Sequence, residues 1–110
     1  MQELLLRLKE IANQNPHGFT VYLPGFEPVR EGWIVAMKET QNSFGDEGLE
    51  RAFTVALKTS TIIGGWKDKK KWYWDASQIF SEKAEAIKFA KEQEQIAIYN
   101  IENNEYVFLD

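Results

Sequence analysis

The fold turns on one stretch, Ile62-Ile63-Gly64-Gly65-Trp66-Lys67-Asp68-Lys69-Lys70-Lys71-Trp72-Tyr73-Trp74-Asp75. Ile62 and Ile63 open a strand that runs to Trp66, Lys67 to Lys71 reads as a turn, and Trp72 to Phe80 returns as a second strand. The pair is expected to form a β-hairpin. Side chains alternate across a strand, so Trp72 and Trp74 share one face while Tyr73 and Asp75 share the other. One face is expected to be core. Glycine inside a strand marks a bulge or a close approach by backbone or ligand. For Gly64-Gly65 a bulge that bends the hairpin is expected, with Trp66 and Asp75 as the neighbours of any ligand seated there. Neither the GxGxxG nor the GxxxxGK[ST] phosphate-loop pattern is present.

Upstream, Leu4, Leu5, Leu8, Ile11 and Ala12 recur on one helical face, and Asn13, Asn15 and Pro16 end that helix. Gly18 to Leu23 is β-branched and aromatic and reads as a strand; Gly32 to Met37 reads as another, apolar on both faces and so placed inside the sheet. The polar run Glu39 to Gly45 is a loop, with Asp46 as the expected N-cap of a helix whose apolar stripe is Leu49, Ala52, Phe53, Ala56 and Leu57. Downstream, Ser81 is the expected N-cap of a third helix, with Ala84, Ile87, Phe89 and Ala90 facing inward. Two more strands, Ile96 to Tyr99 and Tyr106 to Leu109, flank an Asn103-Asn104 turn. The order α-β-β-α-β-β-α-β-β predicts a single α+β domain over residues 1–110, a mostly antiparallel sheet with helices on one face.

Composition narrows the function classes. The chain has 110 residues, 44% of them hydrophobic and 14% aromatic, enough for one core without disulfides or a structural metal. Cysteine is absent, which fits a reducing compartment. The start MQELLLRLKE reads as an amphipathic helix rather than a secretory leader, and no window holds the apolar run of a membrane span. A cytoplasmic protein without a membrane partner is expected. A net charge of −4 argues against duplex DNA, whose binding depends on neutralising phosphates. That charge serves solubility, or it competes with nucleic acid for a basic partner protein.

Catalytic chemistry finds little footing. The one histidine, His17, lies in a turn without an evident partner, so neither a nucleophile–base pair nor a transition-metal site is expected. Asp46, Glu47 and Asp75 supply oxygen ligands of the type a hard cation accepts, and nothing favours such a site. No cofactor is expected. Two surfaces remain as ligand- or partner-binding candidates. The first is the loop carrying Thr40, Gln41, Asn42 and Phe44. The second is the hairpin carrying Gly64, Gly65, Trp66, Lys69, Lys70, Trp72, Trp74 and Asp75. Aromatic rings beside lysines are also what a single-stranded nucleic acid groove uses; the plainer reading is a core hairpin with a lysine-rich, soluble tip.

The strings Asn15-Pro16-x-Gly18-Phe19-Thr20-Val21, Glu39-Thr40-Gln41-Asn42-Ser43-Phe44-Gly45 and Ile63-Gly64-Gly65-Trp66 occur in order. Trp72-Tyr73-x-Asp75-x-Ser77, Ala86-Ile87-x-Phe89-Ala90 and Gln95-Ile96-Ala97-Ile98 follow them. Together, from about Asn15 to Ile101, they resemble a family of small proteins of phages and conjugative elements, which has no assigned activity. Where that family carries an acidic-glycine turn, this chain has Lys69-Lys70-Lys71. The resemblance implies a mobile-element setting. The expectation is therefore a non-enzymatic protein that binds a host or element protein in the host cytoplasm, in its concrete form inhibiting a host defence nuclease (anti-CRISPR or anti-restriction type). The alternatives are a domain that binds or sequesters a small ligand or nucleotide, or single-stranded nucleic-acid binding through the Lys/Trp hairpin.

Overall fold

The computed structural model describes residues 2–109. Its elements follow the expected order: α1 Gln2–Gln14, β1 Phe19–Tyr22, β2 Trp33–Ala36, α2 Gly45–Lys58, β3 Ile62–Asp68, β4 Lys71–Phe80, α3 Lys83–Glu92, β5 Ala97–Asn100 and β6 Glu105–Phe108. A short 3-10 turn, Lys38–Thr40, was not anticipated. The strands form one six-stranded sheet in the order β1-β3-β4-β2-β5-β6, with every neighbouring pair antiparallel. The α+β class with an antiparallel sheet is thus what the sequence indicated.

The ten-residue β4 is the spine of the sheet. Its first part pairs with β3, from Asp68↔Lys71 to Ile63↔Ala76, and its last part with β2, from Ala36↔Ser77 to Trp33↔Phe80. Period-two alternation along β4 then assigns the faces. Trp74 and Ala76 join Val21, Ile63, Leu8, Ala12 and the α2 residues Leu49, Ala52, Phe53, Val55 and Ala56 in one core. Further along the same face Phe80 packs with Val35, Ile98, Ala86 and Ala90, a second core under α3. All three helices therefore lie on one side. Tyr73, Asp75, Ser77 and Ile79 point to the other, together with their register partners Trp66, Gly64, Ala36 and Ile34.

That second face is not uniformly open. The connection from β1 to β2 has to pass β3 and β4; Val29 within it is buried, and so are Ile62 and Ser77. Exposure is regained at the hairpin tip and at the β5–β6 end.

Several local expectations are corrected. The hairpin turn is Lys69-Lys70 alone, both with left-handed φ (+51° and +74°), so Lys67 and Asp68 belong to the strand. This is a two-residue turn of the type I′ hand, whose twist matches that of the flanking strands. No bulge occurs at Gly64-Gly65, because the register runs on without an extra residue: Gly64↔Asp75, Gly65↔Trp74. The close-approach reading holds there instead. A Cβ on Gly65 would stand 2.7 Å from Phe19 Cε1 and 3.1 Å from Trp74 Cε3. Phe44, not Asp46, occupies the N-cap of α2, and Glu82, not Ser81, that of α3: α2 begins early enough to take Asp46 into its first turn, and α3 begins one residue later than Ser81 would set it. Leu57 is exposed and Val55 buried, since the buried arc is centred between Ala52 and Ala56, about 80° from Val55 on one side and about 120° from Leu57 on the other. Ala84 is likewise exposed, and Ala86 with Ala90 makes the inner face of α3.

Candidate functional site

The polar segment after β2 has a structural task. Where β2 leaves β4, residues 37–44 continue along the same edge. Met37 N–H donates to Ala76 O (2.9 Å), Ala76 N–H to Thr40 Oγ1 (3.1 Å) and Trp74 N–H to Ser43 O (2.8 Å), and Phe44 bridges to Tyr73. The buried Thr40 hydroxyl donates in turn to Met37 O (3.1 Å), so both its bonding directions are used by the fold. Gln41 and Asn42 are exposed, Asn42 with φ +62°, at the turn that swings the chain into α2. Of this candidate surface, Phe44 is brought to the hairpin and half of its area is exposed (50%).

On the face away from the helices, Trp66 stacks on Tyr73 with ring centroids 4.5 Å apart and planes 12° apart, and Phe44 leans on the other side of Tyr73 at 5.9 Å. Trp66 keeps 47% of its surface exposed. Asp75 lies next along β4, opposite Gly64. A Cβ at Gly64 would sit 3.3 Å from Asp75 Oδ1 and 3.4 Å from Thr20 Oγ1, so the missing side chain leaves room for the carboxylate, which is largely buried there. Ser77 Oγ donates to Asp75 Oδ1 at 2.5 Å. Burial pushes the Asp75 carboxyl above its ordinary range, and the Ser77 hydrogen bond partly opposes that. Among the described residues the ion pairs are Arg7–Glu10, Lys9–Asp46 and Lys38–Glu94, so Asp75 has no cation of its own.

The other face of the same hairpin is built differently. Trp72 and Trp74 stack at 5.6 Å, backed by Phe19 at about 6 Å from each. Trp74 is buried, while Trp72 remains partly exposed. Above them a groove of about 420 Å³ opens between α1, the start of α2 and the hairpin tip. Lys9, Lys70 and Lys71 line it, with Asp46 held by Lys9 at 2.7 Å and Lys71 Nζ placed 5.0 Å from the Phe44 ring centroid.

The structure therefore splits the hairpin candidates. Gly64, Trp66 and Asp75 meet on the open face with Phe44; Lys70, Trp72 and Trp74 line the groove; Gly65 serves packing; Lys69 is exposed at the tip. Tyr73 and Ser77 were missed, although counting the hairpin register outward from a two-residue turn finds Tyr73 opposite Trp66. Lys9 was missed because it comes from a helix more than fifty residues away and has no local signal. A further aromatic group, Tyr99, Tyr106 and Phe108, marks the β5–β6 end, Tyr106 and Phe108 largely exposed.

The Ser77 hydroxyl donates to Asp75, and no imidazole stands near the pair as in a serine–histidine couple. His17 is exposed in the turn after α1, and among the described residues no three His, Asp or Glu side chains converge as metal ligands would. No helix of the structure is long and apolar enough to cross a membrane. Comparison of the chain with protein-family models, with curated proteins and with solved structures gives no match.

Proposed function

We propose that the chain is a non-catalytic binding domain that captures a basic segment of a partner protein on the open face of its hairpin. One observation carries this reading: Asp75, a largely buried carboxylate without a cation, lies in register beside Tyr73 and Trp66, and the rings of Trp66 and Phe44 that flank Tyr73 are exposed. An arginine or lysine entering there would meet a charge in a poorly hydrated setting and aromatic faces to lie against. Exposed aromatic side chains are also enriched at the centre of protein interfaces. The net charge of −4 works in the same direction, steering basic partners at long range.

In the mobile-element setting that the sequence resemblance implies, the partner is a host protein met in the cytoplasm. A defence nuclease is the concrete candidate, because its nucleic-acid cleft is basic. The test is purification of the untagged protein from its host, followed by comparison of variants. A host protein at fixed stoichiometry that is lost with Asp75→Lys and with Trp66→Ala, and kept with Glu85→Lys on the outer face of α3, supports the reading. A complex indifferent to both hairpin changes, or no complex at all, overturns it.

A further inference from the structure

The groove on the helix side of the hairpin shares Phe44 with that docking face and is otherwise lined by different residues. Three of its features point to one class of ligand. Trp72 gives it an aromatic wall, and that ring is held from behind by Trp74 and Phe19, so a flat ligand meets a surface already fixed in place. Lys9, Lys70 and Lys71 stand round the rim against a single acid, Asp46, a local excess of two positive charges (three minus one) in a protein whose net charge is −4. The volume, about 420 Å³, lies in the range of small-ligand sites.

The backbone supplies a separate indication. Lys70 holds φ +74° in a turn where glycine would sit without strain, and Lys69 holds +51° where asparagine is favoured. Lys70 thus carries its side chain on the groove from a backbone position that is costly for folding.

We infer that this groove binds a nucleoside phosphate, the base against Trp72 and the phosphates among Lys9, Lys70 and Lys71. The same chemistry is offered by a free mononucleotide and by a nucleotide within a single strand, since both present a π-face and phosphate oxygens. Asp46 sets a limit. It occupies Lys9, so the phosphates depend mainly on Lys70 and Lys71 unless they displace that pair.

Tryptophan fluorescence and calorimetric titration test this with three probes at low salt and without divalent ions: ATP, adenosine and inorganic triphosphate. ATP is expected to bind and quench, and each fragment to bind roughly tenfold more weakly or worse, as both halves of the site contribute. Trp72→Leu is expected to weaken ATP by about the same factor. Lys70→Gly is the decisive variant: it relaxes the turn, so it should fold at least as well as the parent while binding ATP several-fold more weakly. Oligothymidylate titrated alongside separates the sources. Tighter binding than ATP identifies the single strand, and weaker binding the free nucleotide. Absence of ATP and oligothymidylate binding at millimolar probe, or ATP binding unchanged in Trp72→Leu and Lys70→Gly, overturns the inference. Neither result bears on the Asp75 face.

Discussion

Replacing Lys69-Lys70 by Asn-Gly should make the protein more stable. Both lysines occupy the left-handed region, at φ +51° and +74°, in the two-residue turn between Asp68 and Lys71. An L residue with a Cβ loses about 1 kcal/mol or more there, from contact between Cβ and the following carbonyl oxygen. Glycine at 70 removes that cost, and asparagine at 69 lowers it. Against this, glycine widens the unfolded ensemble and returns roughly 0.5–1 kcal/mol. The net expectation is a gain of about 1 kcal/mol, which for a domain of this size raises the melting temperature by roughly 4 °C. Removing two of three adjacent lysines also relieves repulsion, so the comparison belongs at about 0.5 M salt, where the Debye length is only a few ångströms. Urea unfolding followed by tryptophan fluorescence is the assay. The midpoint should rise with the slope unchanged, the signature of altered stability without altered denatured-state compactness. A midpoint that stays put or falls would refute the strain argument, and with it one support for the groove.

The remaining predictions use the same measurements. Gly65→Ala places a methyl 2.7 Å from the Phe19 ring and should cost about 1–3 kcal/mol by overpacking, seen as a lower melting temperature. Thr40→Val leaves the buried Ala76 N–H without its acceptor and should cost about 1–3 kcal/mol, while Thr40→Ser should recover most of that. Phe53→Ala empties the centre of the larger core and should cost about 3–5 kcal/mol. Asp75→Asn concerns pH. The folded carboxyl is raised above its unfolded value by burial, so its contribution favours folding at low pH and is lost as pH rises from the unfolded through the folded value. The variant should therefore gain stability over the parent at pH 7, with the gain vanishing in acid; a gain that persists in acid would contradict the sign.

The hairpin and its two faces were legible in the sequence because alternation is local: Trp72 and Trp74 against Tyr73 and Asp75 follows from period two alone. Helix stripes were legible for the same reason, apart from residues at the margins of the arc such as Leu57 and Val55. The turn was misjudged because lysine gives no signal for positive φ, so five residues were assigned where two suffice. The role of the Glu39–Gly45 segment was hidden for a different reason. Its polarity suggests a binding loop, yet Thr40 and the Ser43 carbonyl are spent on β4 thirty or more residues away. The order in which β2 slots beside β4 rather than β1 is likewise a long-range outcome, and the groove depends on it. Only when α1 and the start of α2 are folded over the hairpin do Lys9 and Asp46 meet Trp72.

In the proposed function, Asp75 and its aromatic neighbours form the docking point for a basic partner segment. Titration calorimetry of the recovered host partner against the parent protein and Asp75→Asn tests it most directly, since the substitution keeps shape and removes only charge. Removing one member of a desolvated charge pair costs about 2–5 kcal/mol, so affinity should fall by roughly thirtyfold or more. Equal affinity for the two proteins would place the interface elsewhere on the molecule and contradict the claim.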